Sequence, residues 1–251
     1  MDTGHITAAD RRLFLIGGTA AVVGSLVGMV GNLIHPETPI GDPVGVARTI
    51  AESQTWLGIH LAIVFGIVLM FGGLVALARS VRGALAVALG RLGLAAAIAG
   101  VAVGLVLVIL DGVAARQLAE EWAAAPAAER PIALRMVAAN ETVNFALASL
   151  FNILFAGVAF SLFGLAVAAS EGYPRWLGLV VLLGSLESIG AGLIQAEAGE
   201  PVAASRVLTI VGPTVITLWL FAVGILLLRK GWPPHRAATT RRTPATRASV
   251  T

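Results

Sequence analysis

Five ionisable side chains lie in or at the ends of long apolar segments: His35, His60, Asp111, Glu141 and Glu187. A charge at the centre of a bilayer costs at least about 2.5–3.5 kcal/mol, so a carboxyl or imidazole there persists when it is paired or used. Carboxylates and imidazoles in a medium of low polarity attract a proton, a metal cation or a small cationic molecule. Two histidines with two or three carboxylates also make a nitrogen and oxygen donor set suited to zinc or non-haem iron. His35 and His60 could instead serve as the two axial ligands of a haem.

Spacing sharpens these candidates. Glu187 stands eleven residues after Trp176, about 16 Å along a helix, which predicts a carboxyl near the middle of a core roughly 30 Å thick. Ser185 and Ser188 flank it. Glu141, Asn144, Ala148 and Asn152 are spaced by three, four and four and share one helix face. Asn152 has nearly the depth of Glu187 and is its expected hydrogen-bond partner, although interhelical amide contacts account for Asn152 by themselves. His35 ends one apolar segment, one turn after Asn32, and His60 lies one turn inside the next, after Trp56. Asp111 closes a third at the same level. Gly24–Gly28 and Gly100–Gly104 have the spacing that lets helices approach closely, within the chain or between copies. Pro213 cannot donate to the carbonyl of Thr209, so a kink is expected there.

Other chemistries lack their residues. The chain has no cysteine, which removes disulfides, thiolate metal sites, iron–sulfur clusters and cysteine nucleophiles. It has no HExxH pair of metal ligands, no phosphate-binding glycine loop, no dinucleotide fingerprint and no GxSxG turn. Its one lysine, Lys230, ends the last apolar segment, where a mid-helix Schiff base is not possible.

The elements that would position these side chains follow from composition. Of 251 residues, 57% are hydrophobic and 12% charged, half the charge of a soluble domain and too little to coat one. Six apolar blocks stand out: 13–34, 56–78, 92–110, 143–169, 176–194 and 207–228. Each is long enough to cross a bilayer as a helix, and none alternates as barrel strands do. The expected fold is therefore an all-α polytopic bundle over residues 1–232. A Thr-, Arg- and Pro-rich tail, 233–251, is expected to be disordered. The first block is too long for a signal peptide and lacks a small-residue cleavage pattern, so it reads as a retained helix. Residues 36–55 contain a short possible helix, and 111–142 extend the third and fourth helices beyond the membrane.

One side of the bundle, with both termini and the loops near 79–91 and 170–175, carries twelve bases and three acids, a net of +9. The rest carries five bases and eleven acids, a net of −6. The excess of bases places the first side in the cytoplasm of a plasma membrane, and it explains the high pI without nucleic acid. Tyr173, Trp176 and Trp232 are expected in the inner aromatic belt and Trp56 in the outer one. The Ala, Gly and Arg bias suggests a GC-rich bacterial genome. His35-Pro36 and Trp56-x-x-x-His60 resemble bacterial multi-pass membrane proteins in general look, which implies no activity.

His35, His60, Asp111, Glu141 and Glu187 come from five helices. The expected site is an outward-facing cavity lined by histidine and acid, with Glu187 at its floor and Asn144 and Asn152 beside it. The leading function is binding or moving a proton, metal cation or small cationic ligand, lost on Glu187→Gln. The alternatives are a non-catalytic scaffold, with the polar groups serving helix packing, and a metal- or haem-dependent membrane enzyme. For metal, the expected ligands are His35, His60, Asp111 and Glu141. The lipid bilayer is the expected partner, and the glycine faces offer a route to oligomers.

Overall fold

A computed structural model describes residues 6–232. Among them there are seven helices and no strand. They are α1 (Ala8–Ile34), α2 (Pro43–Glu52), α3 (Trp56–Ser80), α4 (Ala84–Ala124), α5 (Arg130–Ala169), α6 (Arg175–Ala198) and α7 (Ala203–Gly231). All but α2 are long and apolar enough to cross a membrane, as a chain without water at its surface requires of its backbone. The expected tail, 233–251, lies outside the described residues.

The six long helices form a closed ring. Each packs on the next in the order α1, α3, α4, α5, α6, α7, and α7 returns to α1. Phe160, Phe163, Leu74, Leu77 and Leu220 fill the centre and are fully buried. Phe160 meets Trp219 edge to face, with centroids 5.9 Å apart. The outer surface is the reverse: Ile16, Phe65, Leu183 and Ile210 are each about two-thirds exposed, the apolar coat that lipid tails solvate.

Small residues let the backbones approach. A Cβ on Gly24 would stand 2.7 Å from the Met70 nitrogen, and one on Gly100 would stand 2.6 Å from Phe155 Cβ. The glycine faces expected to help helices meet are thus occupied by α3 and α5 of the same chain.

Two helices are far longer than a membrane. α4 has 41 residues and α5 has 40, about 60 Å each, twice the hydrocarbon thickness. Their projecting halves join α2 in a small cap with its own core: Val46, Ala47, Ile50, Ala115, Ala119 and Val137. Arg116 ties the cap together. Its Nη1 donates to the carbonyls of Ile50, 2.7 Å away, and Ser53, 2.5 Å away, at the end of α2. The end of the bundle that carries the cap is called the cap end below. The other is the arginine end.

Both long helices contain a wider, π-helical stretch: Leu110–Ala114 in α4 and Asn152–Ala159 in α5. Such turns leave carbonyls without their usual partners and gather at functional sites. Block periodicity does not reveal them, because one extra residue in a turn barely changes an apolar pattern.

Candidate metal centre

Three of the expected side chains converge at the cap end. His35, His60 and Asp111 each offer a ligand atom, and all three atoms lie within 4.8 Å of one another. No other such group occurs among the described residues.

Each is delivered by a local feature. His35 caps α1 in an extended conformation, φ −63° and ψ 127°, because the following Pro36 disfavours helix at the residue before it. The chain therefore turns out of the helix and folds the imidazole back toward α3. His60 lies one turn inside α3 and is 2% exposed. Gly112 of α4 packs against it so closely that a Cβ there would stand 2.5 Å from His60 Cβ. Asp111 is presented by the π-helical turn of α4. Side chains reach the carbonyls of that turn, the Leu110 oxygen also accepting from the Ala115 backbone N–H. Asn140 Nδ2 donates to Leu110, 3.4 Å away, and Trp56 Nε1 donates to Asp111, 2.9 Å away.

The hydrogen bonds assign the protons. His35 Nδ1 lies 2.9 Å from the Pro36 carbonyl, and His60 Nδ1 lies 2.7 Å from the Trp56 carbonyl. A carbonyl oxygen only accepts, so both Nδ1 atoms carry hydrogen, and in each neutral ring Nε2 carries a lone pair. The two Nε2 atoms are 3.2 Å apart, and His60 Nε2 is 3.1 Å from Asp111 Oδ2. Two lone pairs and a carboxylate thus face one another, an arrangement that repels itself until a cation enters. Burial, then the neighbouring His60, holds the His35 imidazole below its ordinary value, against the opposite pull of Asp111 and the Pro36 carbonyl.

The cluster is well braced. Trp56 packs against both imidazoles, at 4.7 Å from His60 and 5.1 Å from His35. Asn144 Nδ2 donates to Asp111 Oδ1 at 3.3 Å, leaving Oδ2 turned to His60. Asn144 Oδ1 is buried with no hydrogen-bond partner. Nitrogen ligands that donate their other N–H to a carbonyl, and a carboxylate held by an amide, are the usual supports of a metal site.

The remaining candidates sit differently. Glu141 is half-buried and near enough to Asp111 for their charges to interact, but it stays outside the ligand group. Asn152 is buried on the second π-helical stretch and packs against Gly192 of α6. Glu187 is half-buried, with Leu183 and Leu186 exposed beside it, and it joins no ion pair among the described residues. No hydrogen bond links it to Asn152. The reason is azimuth: Ser188 and Gly184 turn toward α7 and Ser185 toward Ser161 of α5, which leaves Glu187 at the flank of α6. The described groove on the bundle, of about 630 Å³, is apolar, runs between α1 and α3, and is lined by residues such as Leu26, Val30, Ile34 and Ile59. None of the seven candidates lines it.

Two tryptophan and tyrosine placements also differ from expectation. Trp56 is 1% exposed and belongs to the site rather than to an outer belt. Tyr173 is buried too, whereas Trp176 and Trp232 are exposed as belt residues are. Sequence reasoning missed Trp56, Asn140 and Gly112 as parts of the site. Asn140 and Asn144 repeat at four residues, so a stripe begun at Asn140 would have found the pair.

A haem does not fit here, since no macrocycle can lie between nitrogens 3.2 Å apart with Trp56 against both rings. Compared with known proteins, the chain matches no protein-family model, no curated protein and no solved structure.

Proposed function

We propose that this is a multi-pass membrane protein that binds a divalent first-row transition metal through His35 Nε2, His60 Nε2 and Asp111. One observation carries the reading: both Nδ1 atoms are spent on backbone carbonyls, so both Nε2 lone pairs point at the same small space as a carboxylate oxygen. Donors bound at about 2.0–2.1 Å to a tetrahedral zinc stand about 3.3 Å apart. The two separations from His60 Nε2, 3.2 and 3.1 Å, agree with that, and the third pair lies within 4.8 Å. Nitrogen and oxygen donors without thiolate suit zinc, iron(II) and their neighbours rather than calcium or magnesium.

Three protein ligands leave a coordination position open, as in metal centres that act on a bound molecule rather than brace a fold. Asn144 Oδ1, buried and unpartnered beside the Asp111 contact, is the acceptor we assign to a water in that position. Glu141 adds a nearby negative charge. The centre binds rather than conducts: Phe151, Phe155, Phe160 and Trp219 pack in succession through the ring toward the arginine end. The balance of bases puts the cap end, and so the metal, outside the cytoplasm of the cell membrane.

The test is zinc binding by the purified full-length protein, read by calorimetry and by thermal shift. One equivalent is expected per chain. Affinity is expected to fall as pH drops below the ordinary imidazole range, because protons then compete for the His35 imidazole, which burial holds below its ordinary value. Calcium and magnesium are expected to leave the melting temperature unchanged. If zinc, iron(II), cobalt(II) and nickel(II) all fail to bind, the metal reading is wrong, and a shared proton is what holds the three groups together.

A further inference from the structure

At the arginine end, far from the histidines, three segments meet around one aromatic ring. The α3–α4 turn brings Ser80 and Arg82, the α5–α6 turn brings Ser170 to Tyr173, and the last turn of α7 brings Lys230. Tyr173 is buried, with its hydroxyl 2.5 Å from Ser80 Oγ. Burial pushes its phenol up to about 12, against the opposing effect of the Ser80 hydrogen bond. The ring is therefore neutral at neutral pH. The Lys230 ammonium lies 3.5 Å from the ring centroid. Ser170 Oγ accepts from the backbone N–H of Arg82 at 3.0 Å and of Gly172 at 3.3 Å, which pins the two turns together. A Cβ on Gly172 would stand 3.3 Å from Lys230 Nζ, so glycine keeps the space around the ammonium clear.

The charges here are unbalanced. Arg79, at the end of α3, is paired with Asp10, Nε to Oδ1 at 2.8 Å. Arg82 and Lys230 have no ion pair among the described residues, and the charge that Lys230 feels is the like charge of Arg82. Glu171 of the same turn is exposed and joins no ion pair among the described residues, and residues 233–251 contain no Asp or Glu. Two cations held together, one of them half-buried on a neutral ring, are stabilised by an anion shared between them. Trp176 and Trp232 are exposed at the adjoining helix ends, which sets the group at headgroup depth.

We propose that Lys230 and Arg82, framed by Tyr173 and the Ser170–Gly172 turn, bind the phosphate of an anionic phospholipid. The lysine supplies a compact charge and the guanidinium a fork of donors, the usual pair for a phosphate. The site is independent of the metal centre and is tested separately from it.

Native mass spectrometry of the full-length protein in micelles, with equal phosphatidylglycerol and phosphatidylcholine, reads the preference directly, and inorganic phosphate forms a second arm. Phosphatidylglycerol is expected to be retained over phosphatidylcholine. Arg82→Gln and Lys230→Met are each expected to weaken that preference about five-fold. Arg12→Gln, which removes an exposed base at the same end, is expected to leave it intact, and Lys230→Arg is expected to keep it. Arg82 contributes only its backbone to the described hydrogen bonds, so its variant reports even if Lys230→Met does not fold. An unchanged preference in Arg82→Gln overturns the proposal. So does an equal loss in Arg12→Gln, which would mean diffuse attraction. Inorganic phosphate binding as tightly as the lipid would assign the site to a free anion and also overturn it.

Discussion

Asp111 and Glu187 are both carboxylates within long apolar helices, yet they have opposite surroundings. Asp111 stands on a π-helical turn, with Asn144 donating to one oxygen and His60 facing the other. Glu187 stands on a regular helix near mid-depth, without an ion pair among the described residues and bordered by exposed leucines. The contrast teaches that depth along a helix does not define a site. Rotation about the helix axis does, together with what neighbouring helices bring to the same side.

The comparison can be broken at several points. The largest effect is expected from His60→Gln, which removes a ligand from the buried cluster. Zinc affinity should fall by more than about 100-fold, beyond the 10–100-fold typical of losing a supporting residue; retained binding would remove His60 from the metal centre and leave Asp111 no more engaged than Glu187. Asn144→Leu takes away the amide that orients Asp111 and should weaken zinc about ten-fold by calorimetry while the protein still folds. An unaltered affinity would show that the π-helical turn alone positions the carboxylate.

Gly112→Ala should act on the fold more than on the metal. Its Cβ would meet His60 Cβ at 2.5 Å, and overpacking of that kind destabilises by about 1–3 kcal/mol. A lowered melting temperature without zinc, partly restored with it, is the expected readout. The smallest effect is expected from Glu187→Gln. Sites that share no partner combine within about 0.3–0.5 kcal/mol, so zinc affinity should change by no more than about two-fold. Loss of binding in this variant would reunite the two carboxylates and revive a cavity with Glu187 at its floor.

Much was legible from residue order. Six apolar stretches, too long for strands and too poor in charge for a soluble coat, specify six spans, because unpaired backbone groups cannot be left in lipid. The alternation of spans puts His35, His60 and Asp111 at one level, since each closes or opens a helix at the same end. The predicted helical extensions of the third and fourth spans are also present, in α4 to Ala124 and in α5 from Arg130, and they supply the cap.

Tertiary structure decided which of those residues meet. His35 reaches His60 because Pro36 ends α1 and turns the imidazole back. Asp111 reaches them because an extra residue in one turn of α4 re-aims it, and Trp56 is drawn from an expected belt into the site as a donor to that turn. Glu187 is left out because small residues on α6 claim the faces toward α5 and α7. Hydrophobicity sets how far a residue sits along the bilayer normal. It carries almost no information about direction around the helix, which close packing of glycines, serines and aromatic rings settles.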